Sequence, residues 1–466
     1  MAAPLESLKE LKGLFFEILS AFDVGAVGPR LGRLGVKGRR DLETPSFLAI
    51  SSRGAVSHLS PDVVSAHSQI GGVHMALEDF IERASTGTPP IMNCPGSSPL
   101  HTFTALPQSV ITLLAPRRTP AVLAPNGHSN TAISVFTSTG FQVLSNKSYI
   151  SYIQKLRPDI AIPLADVPYG SKPGTKRIAK MSDRTQEWVT EFINSKNDGQ
   201  AMFAPILPID SLSQWEYFNQ LADELADGIS GLAIYDSNLL PDIPATTALS
   251  RLPRLSLDEP SSPLQILRQV SLGMDIFTVP FITFATDAGI ALTFRFPRPL
   301  PDGNVFSNDT GSSAIPLGID MWSASHATSV TPLSTSCTCN TCTTHHRAFI
   351  QHLLSAKEML GWVLIQIHNH HILSEFFAAI RESIRNGTFD ADCDEFATFY
   401  ESELPAKSGQ GPRARGYHFK TEGPGEAKKN KAAWGNLGAS DENVNGGLVP
   451  DERAGDLEEK GFAEKA

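Results

Sequence analysis

The chain of 466 residues, 41% hydrophobic and 19% charged, has the composition of a soluble globular protein, long enough for one large barrel with additions or for two ordinary domains. Its net charge of −10 excludes a broadly basic surface that gathers nucleic-acid phosphates, so any RNA contact must be local or shared. Five cysteines, three of them within six residues at Cys337, Cys339 and Cys342, exclude a disulfide framework and point to metal in a reducing compartment; Cys94 and Cys393 read as ordinary thiols.

At the N-terminus Glu6, Lys9, Glu10, Lys12 and Glu17 interrupt the apolar run that a secretory signal needs, and the pattern predicts an amphipathic helix. No stretch reaches the ~18 uncharged apolar residues of a membrane span; the most apolar, 273–294, contains Asp275 and Asp287. A cytoplasmic protein is expected, with peripheral attachment to an organelle surface such as the mitochondrial outer membrane compatible with the sequence. Next, Arg30, Arg33, Lys37, Arg39 and Arg40 form a glycine-interleaved basic run, read either as an RNA contact or as a solvated loop.

Through the middle of the chain, strand-like runs at 110–114, 121–123, 159–164, 201–206, 231–235, 253–257 and 275–281 alternate with helical patterns at 183–194, 211–226 and 263–272. This rhythm is that of βα units around a parallel sheet. A (β/α)8 TIM-type barrel is the first expectation and a doubly wound sheet the second, because no glycine-rich phosphate loop follows an early strand. Beyond the cysteines, 347–385 predicts a long helix, broken near Gly361 and capped by Asn386-Gly387. From Pro405 the sequence predicts a disordered tail, with ten basic and ten acidic residues divided into a basic half up to Lys431 and an acidic half from Asp441.

Three thiolates and an imidazole suit a four-coordinate, borderline-soft ion such as zinc, and a closed set of four ligands makes it structural. Cys337, Cys339 and Cys342 supply the sulfurs. His368, in the long helix, is the leading fourth ligand, and spacing leaves His345, His346, His370 and His371 open.

The run Cys-Thr-Cys-Asn-Thr-Cys at 337–342, with Arg-Ala-Phe-Ile-Gln-His-Leu-Leu at 347–354 and Gln-Ile-His-Asn at 366–369, resembles the C-terminal zinc signature of tRNA-guanine transglycosylases. Upstream, Ser230-Gly231-Leu232-Ala233 resembles that family's base-binding loop, 273–277 the start of its nucleophile strand, and 44–54 its opening strands, so the likeness spans roughly residues 20–395. The resemblance implies a (β/α)8 barrel, a C-terminal zinc-binding subdomain, and one structural Zn2+ per subunit on Cys337, Cys339, Cys342 and His368. It also implies exchange of guanine for a 7-deazaguanine base, queuine, at the wobble position of tRNAs with GUN anticodons (those for Asp, Asn, His and Tyr).

That exchange needs a nucleophilic carboxylate and a second as acid/base. Where the family's nucleophile stands this chain has Thr278, a poor nucleophile without an adjacent base, and between Glu82 and Asp159 it has no carboxylate at all. Asp166 falls at the position of the aspartate that bonds the base; read without the resemblance, it caps the turn at Pro168-Tyr169-Gly170. Leu207 stands where relatives carry a glutamine, a loss of ~1–3 kcal/mol of recognition. With Ser230 and Gly231, Asp166 would form a vestigial base pocket.

The resemblance thus implies a non-catalytic subunit that forms a heterodimer with a catalytic queuine tRNA-ribosyltransferase subunit around the zinc region and meets tRNA mainly through that complex. The alternatives are an active enzyme using Asp275 or Asp287, and a zinc-stabilised scaffold unrelated to tRNA. Expected divisions are a barrel over 1–330, a zinc-binding and helical dimerisation segment over 331–404, and the tail over 405–466.

Overall fold

Eight short apolar runs close into one parallel sheet: β1 (Ser46–Ser52), β2 (Gly72–Ala76), β3 (Ile111–Ala115), β4 (Ile160–Ala161), β5 (Ala201–Ile206), β6 (Gly231–Ile234), β7 (Arg254–Ser256) and β8 (Ile276–Thr278). The computed structural model describes residues 13–20, 27–82, 87–122, 128–168, 173–244, 246–298 and 314–412. Closure is made by β8 on β1, with Ile276, Phe277 and Thr278 opposite Ser46, Phe47 and Leu48. This is the expected (β/α)8 barrel.

Because side chains alternate along each strand, the barrel has two apolar populations. Leu48, Leu113, Ile160, Phe203, Ala233, Leu255 and Ile276 form one cluster with Leu34, Val36 and Leu42. The last three come from an antiparallel sheet, Leu14–Ile18, Gly32–Val36 and Leu42–Thr44, that covers one end of the barrel. The alternate residues Phe47, Val73, Leu114, Met202, Leu232 and Phe277 pack outward against the helices.

Four arginines of the basic run near the N-terminus bond to the barrel's closed end or within the sheet that covers it, whereas Lys37 is exposed. Arg30 is buried, binds both oxygens of Asp275 (Nε to Oδ1 at 2.9 Å) and donates to the carbonyls of Ser250 and Leu252. Arg39 bonds both oxygens of Asp159 at 3.0 Å, Arg40 the carbonyls of Gln69 and Ile70, and Arg33 pairs with Glu17. Asp275, Asp159 and Ile70 all lie at or just before the start of a barrel strand, so these arginines clamp the N-terminal rim.

Several expectations change. Residues 1–12 lie outside the described residues, but Glu17, expected in an amphipathic helix, sits on the strand Leu14–Ile18. Residues 121 and 122 form no strand, and 123 lies outside the described residues. The run 275–281 is a strand only over Ile276–Thr278, since Pro280 turns the chain into the helix Phe281–Asp287. Strand β2 and the hairpin Ala132–Thr137 with Gly140–Ser145 went unpredicted. The tail beyond residue 412 lies outside the described residues.

The long helical stretch is two helices, Arg347–Ser355 and Met359–Asn386, the second ended by Gly387 in the left-handed conformation (φ 72°). It lies across the seam where the barrel closes: Phe377 packs on Phe47 and Phe277, His370 stacks on Phe47, and Arg381 donates to the Pro45 carbonyl at 2.8 Å. Among the described residues no helix is long and apolar enough to cross a membrane.

Removing one partner of a buried ion pair strands the other charge, which costs about 3–5 kcal/mol. Arg30→Met should therefore lower the unfolding free energy in urea by that order, whereas Arg33→Met, which breaks the half-exposed pair with Glu17, should cost less than about 1 kcal/mol. Equal losses in the two variants would remove the clamp from the account.

Candidate metal centre and barrel mouth

The cysteine segment folds into a single short helix, Asn340–Thr344, with Cys339 as its N-cap: the Cys339 sulfur accepts from the Cys342 N–H at 3.3 Å. That turn places three sulfurs on one side, and Thr341 ties it to the long helix by donating to the Leu364 carbonyl at 2.7 Å. His368 comes up from the long helix, wholly buried, with Nδ1 at 3.6, 3.6 and 3.3 Å from the sulfurs of Cys337, Cys339 and Cys342. The four ligand atoms lie within 4.8 Å of one another.

A tetrahedral zinc with Zn–N and Zn–S bonds of about 2.1 and 2.3 Å requires N···S separations of about 3.6 Å, so the cage has the right size. His368 Nε2 donates to the Leu292 carbonyl at 2.8 Å, which leaves the Nδ1 lone pair facing the sulfurs. Hydrogen bonds from Cys337 and Cys342 bring the Cys339 thiol down, and bonding to Cys337 and Cys339 pushes the Cys342 thiol up. Unaided, the cluster does not hold three thiolates; a divalent cation would supply the missing charge.

The other histidines stand outside this four-atom cage, His371 at its edge against the Cys337 sulfur. His345 stacks on Phe349, His346 caps the helix Arg347–Ser355, His370 meets Gln366 and Phe47, and His371 meets Thr338. The side chain next to His368 extends its support: Asn369 accepts from the Leu292 N–H and donates to Thr286 and the Ile290 carbonyl.

At the opposite, C-terminal rim of the strands a cavity of about 280 Å³ opens among His74, Arg117, Tyr235, Asp258 and Glu259. Thr278 ends β8 here, fully buried, and its hydroxyl donates to the Ser256 carbonyl at 3.0 Å, with no base beside it. Asp258 accepts from the Ser237 N–H and hydroxyl, and Glu259 from the Ala121 N–H. Leu207 is buried among Ala165, Val167, Met181 and Ile209. His74 is buried with its Nε2 unpartnered, and burial lowers its pKa to about 4.

Asp166, five residues past the end of β4 in a stretch free of helix and strand, is completely buried; the turn at 168–170 that it was expected to cap lies partly outside the described residues. Arg177 straddles its carboxylate, Nη1 on Oδ2 at 2.5 Å and Nη2 on Oδ1; Arg184 reaches Oδ2 at 3.0 Å and His128 Nδ1 reaches Oδ1 at 2.7 Å. Burial alone would raise its pKa, but the bonds from His128 and the two arginines hold it well below the usual carboxylate range. Neither arginine was singled out in the sequence, although their seven-residue spacing places both on one face of the helix Thr175–Ser195.

The structure does not bring Ser230 and Gly231 to Asp166. Ser230 immediately precedes β6 and its N–H donates to Met202 at the start of β5, which puts both residues at the N-terminal half of the barrel. Gly231 is glycine because the Phe203 ring fills the place of a Cβ, 2.5 Å away. The reading of these two residues as base-pocket members is corrected accordingly. Of the alternative carboxylates, Asp275 lies at the N-terminal rim against Arg30, and Asp287 ends an outer helix, paired with His58 at 2.6 Å.

Residues 26–402 match the sequence profile of the queuine tRNA-ribosyltransferase family. Among similar proteins, the queuine tRNA-ribosyltransferase accessory subunit 2 of Schizosaccharomyces pombe is 38% identical over 87% of this chain and 89% of its own. Proteins of the same name from Culex quinquefasciatus and Drosophila yakuba are 28% and 26% identical over 74% and 76% of this chain, and over 82% and 86% of their own.

Elemental analysis of the purified protein should find one zinc per chain; Cys339→Ser or a strong chelator should remove it and lower the melting temperature, whereas His371→Ala should keep the metal. Full zinc content in the Cys339 variant would dismiss the site. For His74 the folded pKa of about 4 lies below the ordinary 6.5, so its contribution to stability is complete above pH ~6.5 and declines as pH falls toward 4. Its loss is of order 3 kcal/mol, and a His74→Gln variant should show a shallower decline in urea titrations across that window.

Proposed function

Because the chain belongs to the queuine tRNA-ribosyltransferase family, we propose that it serves as the non-catalytic subunit of a heterodimer in which a catalytic homologue exchanges guanine for queuine at the wobble position of tRNAs with GUN anticodons. The observation that carries this reading is the state of the C-terminal rim. Thr278 stands where attack on ribose requires a carboxylate, and the described rim carboxylates Asp166, Asp258 and Glu259 are each held by internal donors.

The reading of an active enzyme loses support, since Asp275 and Asp287 lie away from the mouth in structural pairs. In favour of a partner, exposed Val330 flanks the metal segment, and exposed Met359 and Leu360 begin the long helix that packs on it. An apolar surface of this kind suits a permanent subunit contact. The segment 331–404 would be the zinc-binding dimerisation unit, 1–330 the barrel unit, and 405–466 the tail. The barrel's clamping arginines are occupied and the net charge is −10, so phosphate contacts would come mainly from the partner. The complex would work in the cytoplasm.

The test is incorporation of labelled guanine into tRNA by this chain alone, by its catalytic homologue alone, and by the two mixed. We expect none alone and, in the mixture, a rate above the homologue's own, with coelution at a one-to-one ratio. Incorporation by this chain alone, abolished in a Glu259→Gln variant, would instead identify a working carboxylate at the mouth.

A further inference from the structure

A carboxylate offers about four lone-pair positions, and at Asp166 all four are filled: Arg177 takes one on each oxygen, His128 the second on Oδ1 and Arg184 the second on Oδ2. Three cationic or donor side chains around one buried acid exceed what neutralising it requires. They also differ in kind. Arg184 is well buried and bonded to Asn130 and the His128 carbonyl, and His128 is buried against Arg117, which lines the mouth cavity. Arg177 comes from the first turn of its helix, and its side chain is 31% exposed.

We infer that Arg177 is an internal stand-in for a guanine edge, occupying a base-reading carboxylate that is intact beneath it. A guanidinium lays two parallel N–H donors across a carboxylate. Guanine does the same with its N1–H and N2–H, and adenine, cytosine and uracil have no such pair. Withdrawing Arg177 leaves Asp166 ionised between Arg184 and His128, with two acceptor positions free, beside Val167 and Pro168 of the mouth cavity of about 280 Å³. The chain is then silent at this site because its own side chain holds the place, in addition to lacking a nucleophile. This inference rests on the reading of the rim as a former base site and does not depend on the subunit role.

The experiment uses the full chain, wild type against Arg177→Ala, with Arg177→Met retaining the stem should the first variant fold poorly. Binding of 9-methylguanine, 9-methyladenine and dilute guanidinium is followed by calorimetry and melting temperature, with zinc content and circular dichroism as controls of fold. Both variants should bind 9-methylguanine and guanidinium at least tenfold more tightly than the wild type and should not bind 9-methyladenine; Asp166→Asn added to either should abolish the gain. Absence of binding in a variant with wild-type zinc and spectrum, a response to guanidinium alone, or equal response to the two purines would overturn the inference. None of these results bears on stimulation of the catalytic homologue, so the two proposals fail separately.

Discussion

Closure of the parallel sheet between β8 and β1 is the constraint on which the remaining structure depends. Eight parallel strands give the molecule two unlike rims, one made of strand starts and one of strand ends, and fix which residues meet at each. Three of the eight strands are only two or three residues long, so the ladder hydrogen bonds alone hold little. The seam is therefore supported from outside. The aromatic face of the helix Met359–Asn386 covers it through Phe377 and His370, and the same helix presents His368 to the cysteine turn. A metal at that site would tie the cover of the seam to the loop beyond the barrel.

The two rims use arginine for opposite ends. At the strand starts Arg30 and Arg39 satisfy buried aspartates and loop carbonyls, and the antiparallel sheet seals what they hold. At the strand ends Arg177 and Arg184 close on Asp166 in a region that still has an opening. A buried carboxylate with a single arginine is a stability element; one with two arginines and a histidine beside a cavity is more than folding requires, since each further desolvated charge costs free energy. That surplus, rather than burial or charge alone, sets the Asp166 cluster apart from the Arg30–Asp275 pair.

The barrel and the metal ligands were legible because each is written locally. Strand runs such as 201–206 and helices such as 263–272 carry their period in consecutive residues, and Cys337, Cys339 and Cys342 fall within one turn of chain. The fourth ligand was not settled by spacing: His368 and His370 differ only in which face of one helix they occupy, and that is decided by the packing of Phe47 and Leu292. The basic run is only partly legible for a related reason. Five cations in eleven residues look like a surface patch, and only the closed barrel shows that Asp275, Asp159 and Ile70 stand within reach. Ser230 and Gly231 were placed by motif likeness, yet strand register puts them at the wrong height; a glycine required by Phe203 looks, in sequence, like a glycine required by a ligand.

A metal cage is compatible with the proposed loss of chemistry at the rim because the two are separate. The cage is joined to the barrel through Leu292, the Asn369 bonds and the seam helix, and among the described residues none of these groups lines the mouth cavity or hydrogen-bonds the side chains of Thr278 and Asp166. Replacing a nucleophile by Thr278 leaves a satisfied hydroxyl and no buried charge, so it costs the fold little. Losing one sulfur would leave an incomplete site in the middle of the packing that holds the sheet closed. The two sites therefore answer to different constraints: a change in the chemistry of the rim leaves the packing around the cage, and the surface the helices present, untouched.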